Sequence, residues 1–377
     1  MNKVAIVSYY QVKPEADKMM SPYEMIFEGT RGALDFAGLK KKDVSTVVSC
    51  TNDYYDGKTI SNCFKVEAGG AYMADESKVE MDGPHAMLYG WMRVASGNHP
   101  LAMIYGTSMP SCFEYESVRV LENDPTFDRP INLLNSYTSG GMQMRAYMKA
   151  FGVSEEDIAK AAVNNWKNAA KNPMALEEAK KGDMTVEKVM DSPYLSSPLR
   201  ELMYPLLADS VSVVVLAPER LASKITDKPV WVTGIGLCNE TYYLGDRDLS
   251  MSNSMKLAAD KAYELADVKD PKSEIDVAEI FGHNACEDLI LAEAAGLADK
   301  GKGATLIEDG GKLNPSGGAF MGYTPGGCGL ARVIEAVKQL RGEADGHQVD
   351  GAQKAIATGQ VGFCAQNNIM FVLEGGA

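Results

Sequence analysis

Residues 314–329 read NPSGGAFMGYTPGGCG, with six glycines and two prolines in sixteen positions. The paired glycines Gly317-Gly318 and Gly326-Gly327 allow backbone N–H groups to approach a ligand closely, although the same glycines also suit tight turns. Tyr323 lies in the middle of this loop, where an exposed tyrosine is expected to face a ligand. Neither a G-x-x-x-x-G-K-[ST] phosphate loop nor a dinucleotide-binding fingerprint is present. The sequence therefore indicates no nucleotide cofactor, and it has no metal-ligand spacing.

Strands and helices alternate on both sides of this loop. In the first half, the predicted strands are Val4–Ser8, Val44–Ser49, Leu101–Tyr105 and Ser210–Ala217, and the predicted helices are Pro22–Ala37 and Pro84–Ala95. In the second half, the predicted strands are Val230–Leu237, Ile275–Phe281 and Asn368–Leu373, and the predicted helices are Ser254–Ala266, Cys286–Ala295 and Leu330–Leu340. The same order in both halves is typical of a duplicated α/β fold.

The segment from about 120 to 205 differs from its surroundings because it is polar and rich in proline and asparagine. It contains one clear predicted helix, Ser154–Ala170, which begins with the N-terminal capping signal Ser154-Glu155-Glu156-Asp157. We interpret this segment as an inserted loop domain.

Composition excludes several classes of protein. The 377 residues are 45% hydrophobic and 23% charged, which is ordinary for a globular protein, and the net charge of −14 disfavours nucleic acid and anionic membranes as partners. No apolar run reaches the roughly 18 residues that a membrane-spanning helix needs, and the N-terminus does not resemble a signal peptide. The seven cysteines are widely spaced, without a C-x-x-C pair, so a disulfide framework or zinc site is not expected. These features predict a cytoplasmic protein.

Four segments together resemble the thiolase superfamily, and within it the lipid-transfer (sterol-carrier-type) thiolases. They are the 314–329 loop, QLRGEA at 339–344, NNWKNAAKNP at 164–173 and SPLR at 197–200, and Asp209 matches the start of a further family strand. The resemblance covers nearly the whole chain. It implies a five-layered αβαβα thiolase fold made of two duplicated halves. Residues 1–120 with 206–222 would form the N-terminal half, 121–205 the inserted loop domain and 229–377 the C-terminal half.

The family's catalytic positions are altered in this sequence. The nucleophilic cysteine, which family members carry at the start of a buried helix, aligns with Glu80, and no cysteine lies within fifteen residues. The second catalytic element aligns with Phe281, although His283-Asn284 follows two positions later. The histidine of the family's G-H-P motif is replaced by Tyr323.

The resemblance implies carbon–carbon bond chemistry on an acyl-CoA thioester. Because a carboxylate nucleophile would give a mixed anhydride, we expect a non-covalent retro-aldol or retro-Claisen route, for which Tyr323 and His283 could supply the proton acceptor and the enolate donor. Some members of the lipid-transfer group that lack the cysteine are aldolases that use tyrosines. Two alternatives stay open: a true thiolase that uses an unexpected cysteine such as Cys286 or Cys364, and a non-catalytic subunit.

The candidate residues fall into two groups. The candidate catalytic residues are Tyr323, His283, Glu80 and Cys364, and the candidate substrate- or CoA-binding residues are Asp82, His85, Phe281, Asn284, Gly317, Gly318, Gly322 and Gly326. Structural roles compete with several of these: Glu80 or Asp82 could cap the helix near Pro84, and His85 and Cys364 could simply be buried. The resemblance further implies a homodimer, a small zinc-ribbon/OB-fold partner protein, and no cofactor other than the CoA thioester substrate.

Overall fold

The computed structural model describes residues 3–180, 183–308 and 312–376. The strands are β1 (Val4–Gln11), β2 (Thr46–Cys50), β3 (Asp75–Lys78), β4 (Ala102–Ser108), β5 (Tyr194–Ser196), β6 (Leu199–Arg200), β7 (Ser210–Pro218), β8 (Val230–Asn239), β9 (Val277–Glu279), β10 (Lys354–Val361) and β11 (Asn367–Gly375). The longer helices are α1 (Pro22–Phe36), α4 (Gly83–Ala95), α7 (Ser136–Phe151), α8 (Glu155–Lys171), α11 (Asn253–Ala266), α13 (Ala285–Ala294) and α15 (Cys328–Arg341). The shorter ones are α2 (Asp53–Asp56), α3 (Ser61–Lys65), α5 (Tyr115–Arg119), α6 (Asp128–Ile131), α9 (Val186–Asp191), α10 (Glu219–Ile225), α12 (Pro271–Glu274) and α14 (Thr305–Glu308).

The strands form one large sheet in the order β3-β2-β4-β7-β1-β8-β11-β10-β9, and β5 and β6 pair separately. The sheet is continuous because β1 pairs with β8, Ala5 opposite Trp231 and Ile6 opposite Val230. Near the middle lies β7, whose nine residues are all buried, as its apolar run from Val213 to Ala217 predicts for a strand covered on both faces. The first half of the chain supplies one side of the sheet and the second half the other.

Five layers are present, as the sequence predicts. Helices α4 and α15 pack against each other, and each also contacts strands from both sides of the sheet, so they lie between the two sides. Helices α1 and α10 cover the outer face of β1 and β7, and α11 covers the outer face of β8 and β11. Within the described residues, no helix combines the length and apolarity that a membrane crossing requires.

The two central helices begin side by side at Asp82. Its carboxylate Oδ1 accepts hydrogen bonds from the backbone N–H of Gly83 at 2.8 Å and of Gly329 at 3.2 Å. Asp82 is therefore the N-cap of α4 and also satisfies an N–H group in the first turn of α15. Only glycine fits at position 83, because a Cβ there would lie 2.4 Å from the Cβ of Leu330.

The region predicted to be an inserted loop domain contains more structure than the sequence suggests. Helix α8 begins with the predicted capping box, in which Ser154 and Asp157 bond reciprocally. Helix α7 was missed because its interior pair Gly140-Gly141 weakens the helical signal. These glycines allow a close approach, since a Cβ on Gly141 would meet the carbonyl oxygen of Ser196 at 2.6 Å. The boundaries of the three predicted segments stay a prediction.

Strand β9 is shorter than the predicted strand Ile275–Phe281. It ends at Glu279 because the next two backbone N–H groups donate to side chains and not to a neighbouring strand. Asn314 Oδ1 accepts from Ile280 N at 2.7 Å, and Thr358 Oγ1 accepts from Phe281 N at 2.8 Å. The neighbouring strand β10 is not predicted by the sequence analysis. It supplies Thr358 and pairs in parallel with β9.

An ion pair without solvent exposure joins β9 to α15. Arg332 Nη1 lies 2.7 Å from Glu279 Oε2, and both side chains have 0% of their surface exposed. Ser316, in the glycine-rich loop, donates from Oγ to the same carboxylate oxygen at 2.6 Å and also contacts Arg332. The buried pair of Glu279 and Arg332 therefore holds the glycine-rich loop in place through Ser316.

We expect Arg332→Met to lower the free energy of unfolding by about 3–5 kcal/mol, because it leaves the buried Glu279 carboxylate without its counter-charge. Chemical denaturation followed by circular dichroism would measure the loss. The control is Arg31→Met, which removes an exposed pair with Asp35 and should change the stability by about 1 kcal/mol or less. Equal stability of the two variants would contradict the structural role assigned to Arg332.

Candidate active site

Two tyrosine hydroxyls meet in the interior, beneath the glycine-rich loop. Tyr323 OH lies 2.5 Å from Tyr115 OH, and both side chains are almost fully buried. The backbone of Tyr323 is fixed on both sides, because its N–H donates to Leu206 O at 2.8 Å and its carbonyl accepts from Ala208 N at 2.9 Å. The 314–329 loop thus places one tyrosine, and the short helix α5 places the other.

Arg119 connects the tyrosines to a histidine. It follows Tyr115 by one helical turn, and its Nη1 lies 3.0 Å from Tyr115 OH and 3.2 Å from His283 Nε2. Its Nη2 lies 3.4 Å from Glu122 Oε2. Although burial opposes the charge, Glu122 and the surrounding tyrosines raise the pKa of Arg119 above its ordinary value, so the guanidinium stays ionised.

The partners of His283 fix where its proton lies. An arginine only donates hydrogen bonds, so His283 Nε2 must accept from Arg119 with a lone pair. The proton is then on Nδ1, which lies 3.1 Å from Glu287 Oε2. Burial acts to raise the pKa of Glu287, but the hydrogen bonds that its carboxylate accepts from His283 and from the amide of Gln360 lower it below the ordinary value. The Glu287 carboxylate is therefore ionised and orients the imidazole.

Aromatic rings surround the two tyrosine hydroxyls and separate them from bulk solvent. The ring of Tyr323 lies 5.6 Å from those of Tyr115 and Phe281 and 5.7 Å from that of His283, measured between centroids. Burial raises the pKa of Tyr323 well above its usual value, and it raises that of Tyr115 to about 12 against the opposing effect of Arg119. Both phenols are therefore protonated at neutral pH and are hydrogen-bond donors.

Two cavities adjoin the cluster. The inner one is lined by residues that include Arg119, His283 and Cys364, and it has room for about one water molecule. The outer one opens to the surface, has a volume of about 320 Å³ and is lined by residues that include Glu80, Glu122 and Phe363. Phe363 borders both cavities, and the ring of Phe363 lies 4.7 Å from the Arg119 guanidinium carbon.

Five of the residues predicted from the sequence come together here: Tyr323, His283, Phe281, Asn284 and Cys364. Asn284 is the N-cap of α13, where its Oδ1 accepts from Glu287 N at 3.0 Å. Cys364 Sγ donates to Ser139 O at 3.4 Å, and burial raises the pKa of the Cys364 thiol to about 12. Burial and the nearby Glu287 also raise the pKa of Cys286 well above its usual value. Both thiols are therefore protonated at neutral pH.

The structure places Glu80, Asp82 and His85 at the start of α4. Glu80 is half-exposed, pairs with Lys78 at 2.5 Å and accepts from Asp53 N at 3.2 Å; among the described residues no contact joins it to Tyr323. Asp82 caps the helix, which is the structural alternative that the sequence left open. His85 is buried, and its Nε2 lies 2.7 Å from Asn367 Oδ1.

Gly317, Gly318 and Gly322, three of the predicted ligand-binding glycines, are buried among protein atoms, whereas Gly326 is partly exposed and a Cβ there would meet no atom closer than 3.8 Å. A Cβ on Gly317 would lie 2.7 Å from the backbone nitrogen of Ala169, and one on Gly322 would lie 2.7 Å from Pro14 Cβ; both glycines have positive φ. Gly318 and Gly326 also have positive φ. These glycines shape the turns that aim Tyr323, and their contact with a ligand stays a prediction.

Sequence reasoning missed Tyr115, Arg119 and Glu287. One signal was available for Glu287, because it stands four residues after His283 and interrupts an apolar helix. Tyr115 and Arg119 have the same spacing in a five-residue helix, but nothing local says that this helix packs under Tyr323. Among the described ranges, no group of three or more histidine, cysteine or acidic side chains is placed to hold a metal ion.

Comparisons with known proteins agree on one family. Residues 237–374 match the family described as "Thiolase C-terminal domain-like". The chain is 30% identical to "Acetyl-CoA acetyltransferase" of Methanothermobacter thermautotrophicus over 377 residues, which cover 94% of each protein. It is also 30% identical to "Sterol carrier protein 2" of Bos taurus over 226 residues, 56% of this chain but only 41% of that protein.

A solved structure described as "Ltp2-ChsH2(DUF35) aldolase" has the same fold. It superimposes with a TM-score of 0.84, covers 99% of this chain and 97% of its own, and is 21% identical in sequence. At 21% identity the likeness establishes the fold only, and the chemistry has to be argued from the site residues.

The burial of Asp82 leads to a prediction about pH. Burial raises the pKa of Asp82 to about 7, whereas an unfolded aspartate has a pKa of about 4. The folded state therefore holds this proton more tightly, so its contribution to stability is full below about pH 4 and is lost as the pH rises through 7. We expect Asp82→Asn, which keeps an oxygen to accept from Gly83 and Gly329, to gain about 1–4 kcal/mol relative to the unmodified protein between pH 5 and pH 8. Denaturant titrations across this range measure the difference, and parallel pH profiles would contradict it.

Proposed function

The chain belongs to the thiolase superfamily, and we propose that it is an enzyme that cleaves or forms a carbon–carbon bond of an acyl-CoA thioester by a retro-aldol route. The predicted likeness to the sterol-carrier-type thiolases and the predicted thiolase fold are both confirmed. The activity itself and the residue roles given below are proposals.

One observation carries the proposal: a proton acceptor and a proton donor lie in one buried cluster. His283 has a lone pair on Nε2 and an ionised carboxylate behind Nδ1, while Tyr323 is a phenol held by a second phenol. A retro-aldol cleavage needs one group of each kind, the acceptor for the substrate hydroxyl and the donor for the enolate. It needs no cofactor beyond the CoA thioester substrate.

In the proposed reaction a β-hydroxyacyl-CoA is the substrate. The β-hydroxyl replaces Arg119 Nη1 as the hydrogen-bond partner of His283 Nε2, which then takes the hydroxyl proton. The oxygen's electron pair forms a carbonyl, and the bond between the α- and β-carbons breaks. The electrons of that bond form the thioester enolate, which Tyr323 OH stabilises by donating a hydrogen bond. Return of the proton from His283 to the α-carbon then gives an acyl-CoA and an aldehyde or ketone, and restores the neutral imidazole. The reverse sequence forms the bond.

Acyl transfer through a cysteine is the second candidate, because the curated relative with full-length coverage is described as an acetyltransferase. Burial disfavours it, since the pKa values of Cys286 and Cys364 are both raised and the thiolate is the nucleophilic form. Glu80 is also disfavoured as a nucleophile, because Lys78 and Asp53 occupy its carboxylate. A non-catalytic subunit would not require an acceptor and a donor in one cluster.

We propose that the protein acts as a homodimer in the cytoplasm and with a small zinc-ribbon/OB-fold partner protein. The description of the similar aldolase structure names a second protein, ChsH2, alongside Ltp2, and this supports a partner. Size-exclusion chromatography with light scattering would give the oligomeric state. Full activity of the chain purified alone would argue against a required partner.

The reaction type is tested by the dependence on free CoA. A panel of β-hydroxyacyl-CoA and β-ketoacyl-CoA substrates is incubated with the protein, with and without a candidate partner and free CoA. We expect β-hydroxyacyl-CoA cleavage without free CoA, since no acyl group is transferred to a thiol. An absolute requirement for CoA would favour a thiolase, and no turnover in any combination would favour a non-catalytic subunit.

Tyr323→Phe is expected to lower kcat by about 10²–10⁴-fold, because it removes the enolate donor but keeps the ring that packs on Phe281. The matched control is Tyr263→Phe, a second buried tyrosine whose hydroxyl donates to Ala295 O at 2.7 Å, outside the cluster. Steady-state assays should find the control close to the unmodified enzyme. Full activity of Tyr323→Phe would remove Tyr323 from the mechanism.

A further inference from the structure

We propose that Arg119 is a positioning residue that sets the protonation of the acceptor, His283, and the orientation of the donor hydroxyl, that of Tyr323. Its Nη1 donates one hydrogen to His283 and the other to Tyr115, and so keeps the acceptor unprotonated while it aims the hydroxyl of Tyr323 away from the pair. The catalytic consequence rests on the proposed function, whereas the effect on His283 does not.

The geometry supports a double donor. A guanidinium Nη atom has two hydrogens, and the two acceptors lie 3.0 Å and 3.2 Å from Nη1. Neither acceptor can reverse the bond, because arginine has no lone pair to offer. One nitrogen thereby orders two side chains that come from different halves of the sequence.

At His283 the effect of Arg119 opposes that of Glu287. An ionised carboxylate at Nδ1 alone would favour a doubly protonated imidazole, which could not accept the substrate proton. In the absence of substrate, Arg119 prevents this by donating its own N–H to Nε2, and the substrate hydroxyl takes that position when it binds. The other titratable groups near the imidazole are Tyr323, whose ring packs against it, and Cys364, which lines the same small cavity. Burial keeps both of these neutral.

At the tyrosines the effect is directional. Either hydroxyl could donate across the 2.5 Å contact between the tyrosines; because Tyr115 oxygen already accepts from Arg119, we assign the hydrogen of Tyr115 to this bond. The hydrogen of Tyr323 then points out of the pair and is available to an enolate oxygen. Each donation polarises the next bond in the chain, so the terminal phenol becomes a better donor.

Neighbouring residues hold Arg119 in place, but one of its hydrogen-bond donors is unused among the described residues. Glu122, which receives a hydrogen bond from Tyr55 OH at 3.2 Å, pairs with Nη2, and the ring of Phe363 covers the guanidinium. Nε of Arg119 is buried and has no hydrogen-bond partner among the described residues. A buried guanidinium with an unused donor lowers stability, so stability alone does not account for an arginine at this position.

The first test is independent of activity. The chain has four histidines, so protein labelled with ¹⁵N-histidine gives a spectrum that a His283→Gln variant is sufficient to assign. At pH 7 we expect Nδ1 of His283 to be protonated and Nε2 to be unprotonated. In Arg119→Met, Nε2 is expected to shift to the protonated range, and in Tyr115→Phe it is expected to stay unprotonated.

The second test is kinetic. With a substrate that the unmodified enzyme cleaves, Arg119→Met is expected to lower kcat by about 10²-fold with KM changed less than about threefold, and to displace the acidic limb of the pH–rate profile. Arg119→Lys retains a cation and is expected to recover about tenfold of that loss. Tyr115→Phe should lower kcat without displacing the limb, because Arg119 still contacts His283. Arg31→Met is the surface control.

Different results overturn different claims. A protonated Nε2 in the unmodified protein, or an Arg119→Met variant with an unchanged His283 signal, would overturn the role of Arg119. If Arg119→Met does not fold, a protonated Nε2 in the folded Arg119→Lys protein would support the role, and identical spectra together with full kcat would overturn it. No turnover by the unmodified protein, with the expected ¹⁵N signals, would count against the proposed function and leave the hold of Arg119 on His283 supported.

Discussion

The arrangement of the whole molecule depends on one carboxylate between two helix starts. Asp82 accepts hydrogen bonds from the first turns of α4 and α15, the two helices that separate the sides of the sheet. The sheet strands and both outer helix layers are placed relative to this pair. Because the glycine-rich loop leads directly into α15, the position of Tyr323 also follows from where α15 begins.

A second constraint connects this scaffold to the chemistry. The buried pair of Glu279 and Arg332 holds Ser316 at one end of the loop, and side chains from the loop and from β10 end strand β9 just before His283. Helix α13 then starts at Asn284 and presents Glu287 to the imidazole. The orientation of His283 is therefore a product of strand termination and helix capping, both of which are local events controlled by residues distant in sequence.

Much of the fold was predictable, and the reason is periodicity. Buried strands such as Ser210–Pro218 and amphipathic helices such as Asn253–Ala266 were predicted to within one or two residues, because their apolar spacing is a property of the segment itself. Helix α7 and strand β10 were missed. Gly140-Gly141 lowers the helical signal, and the contacts that require small residues there come from Ser196, 55 residues after Gly141.

The sequence by itself determined the family and the layered α/β fold, and it made Tyr323 and His283 candidates, since these depend only on which residues follow one another. The tertiary structure alone decided that Tyr115 and Arg119 stand beside them, and that Asp82 caps helices while Glu80 pairs with Lys78. The physical reason is the large separation in sequence between the residues that form these contacts. A hydrogen bond such as that from Arg119 to His283 joins residues 164 positions apart, and no local pattern encodes a contact that only the packing of two halves creates.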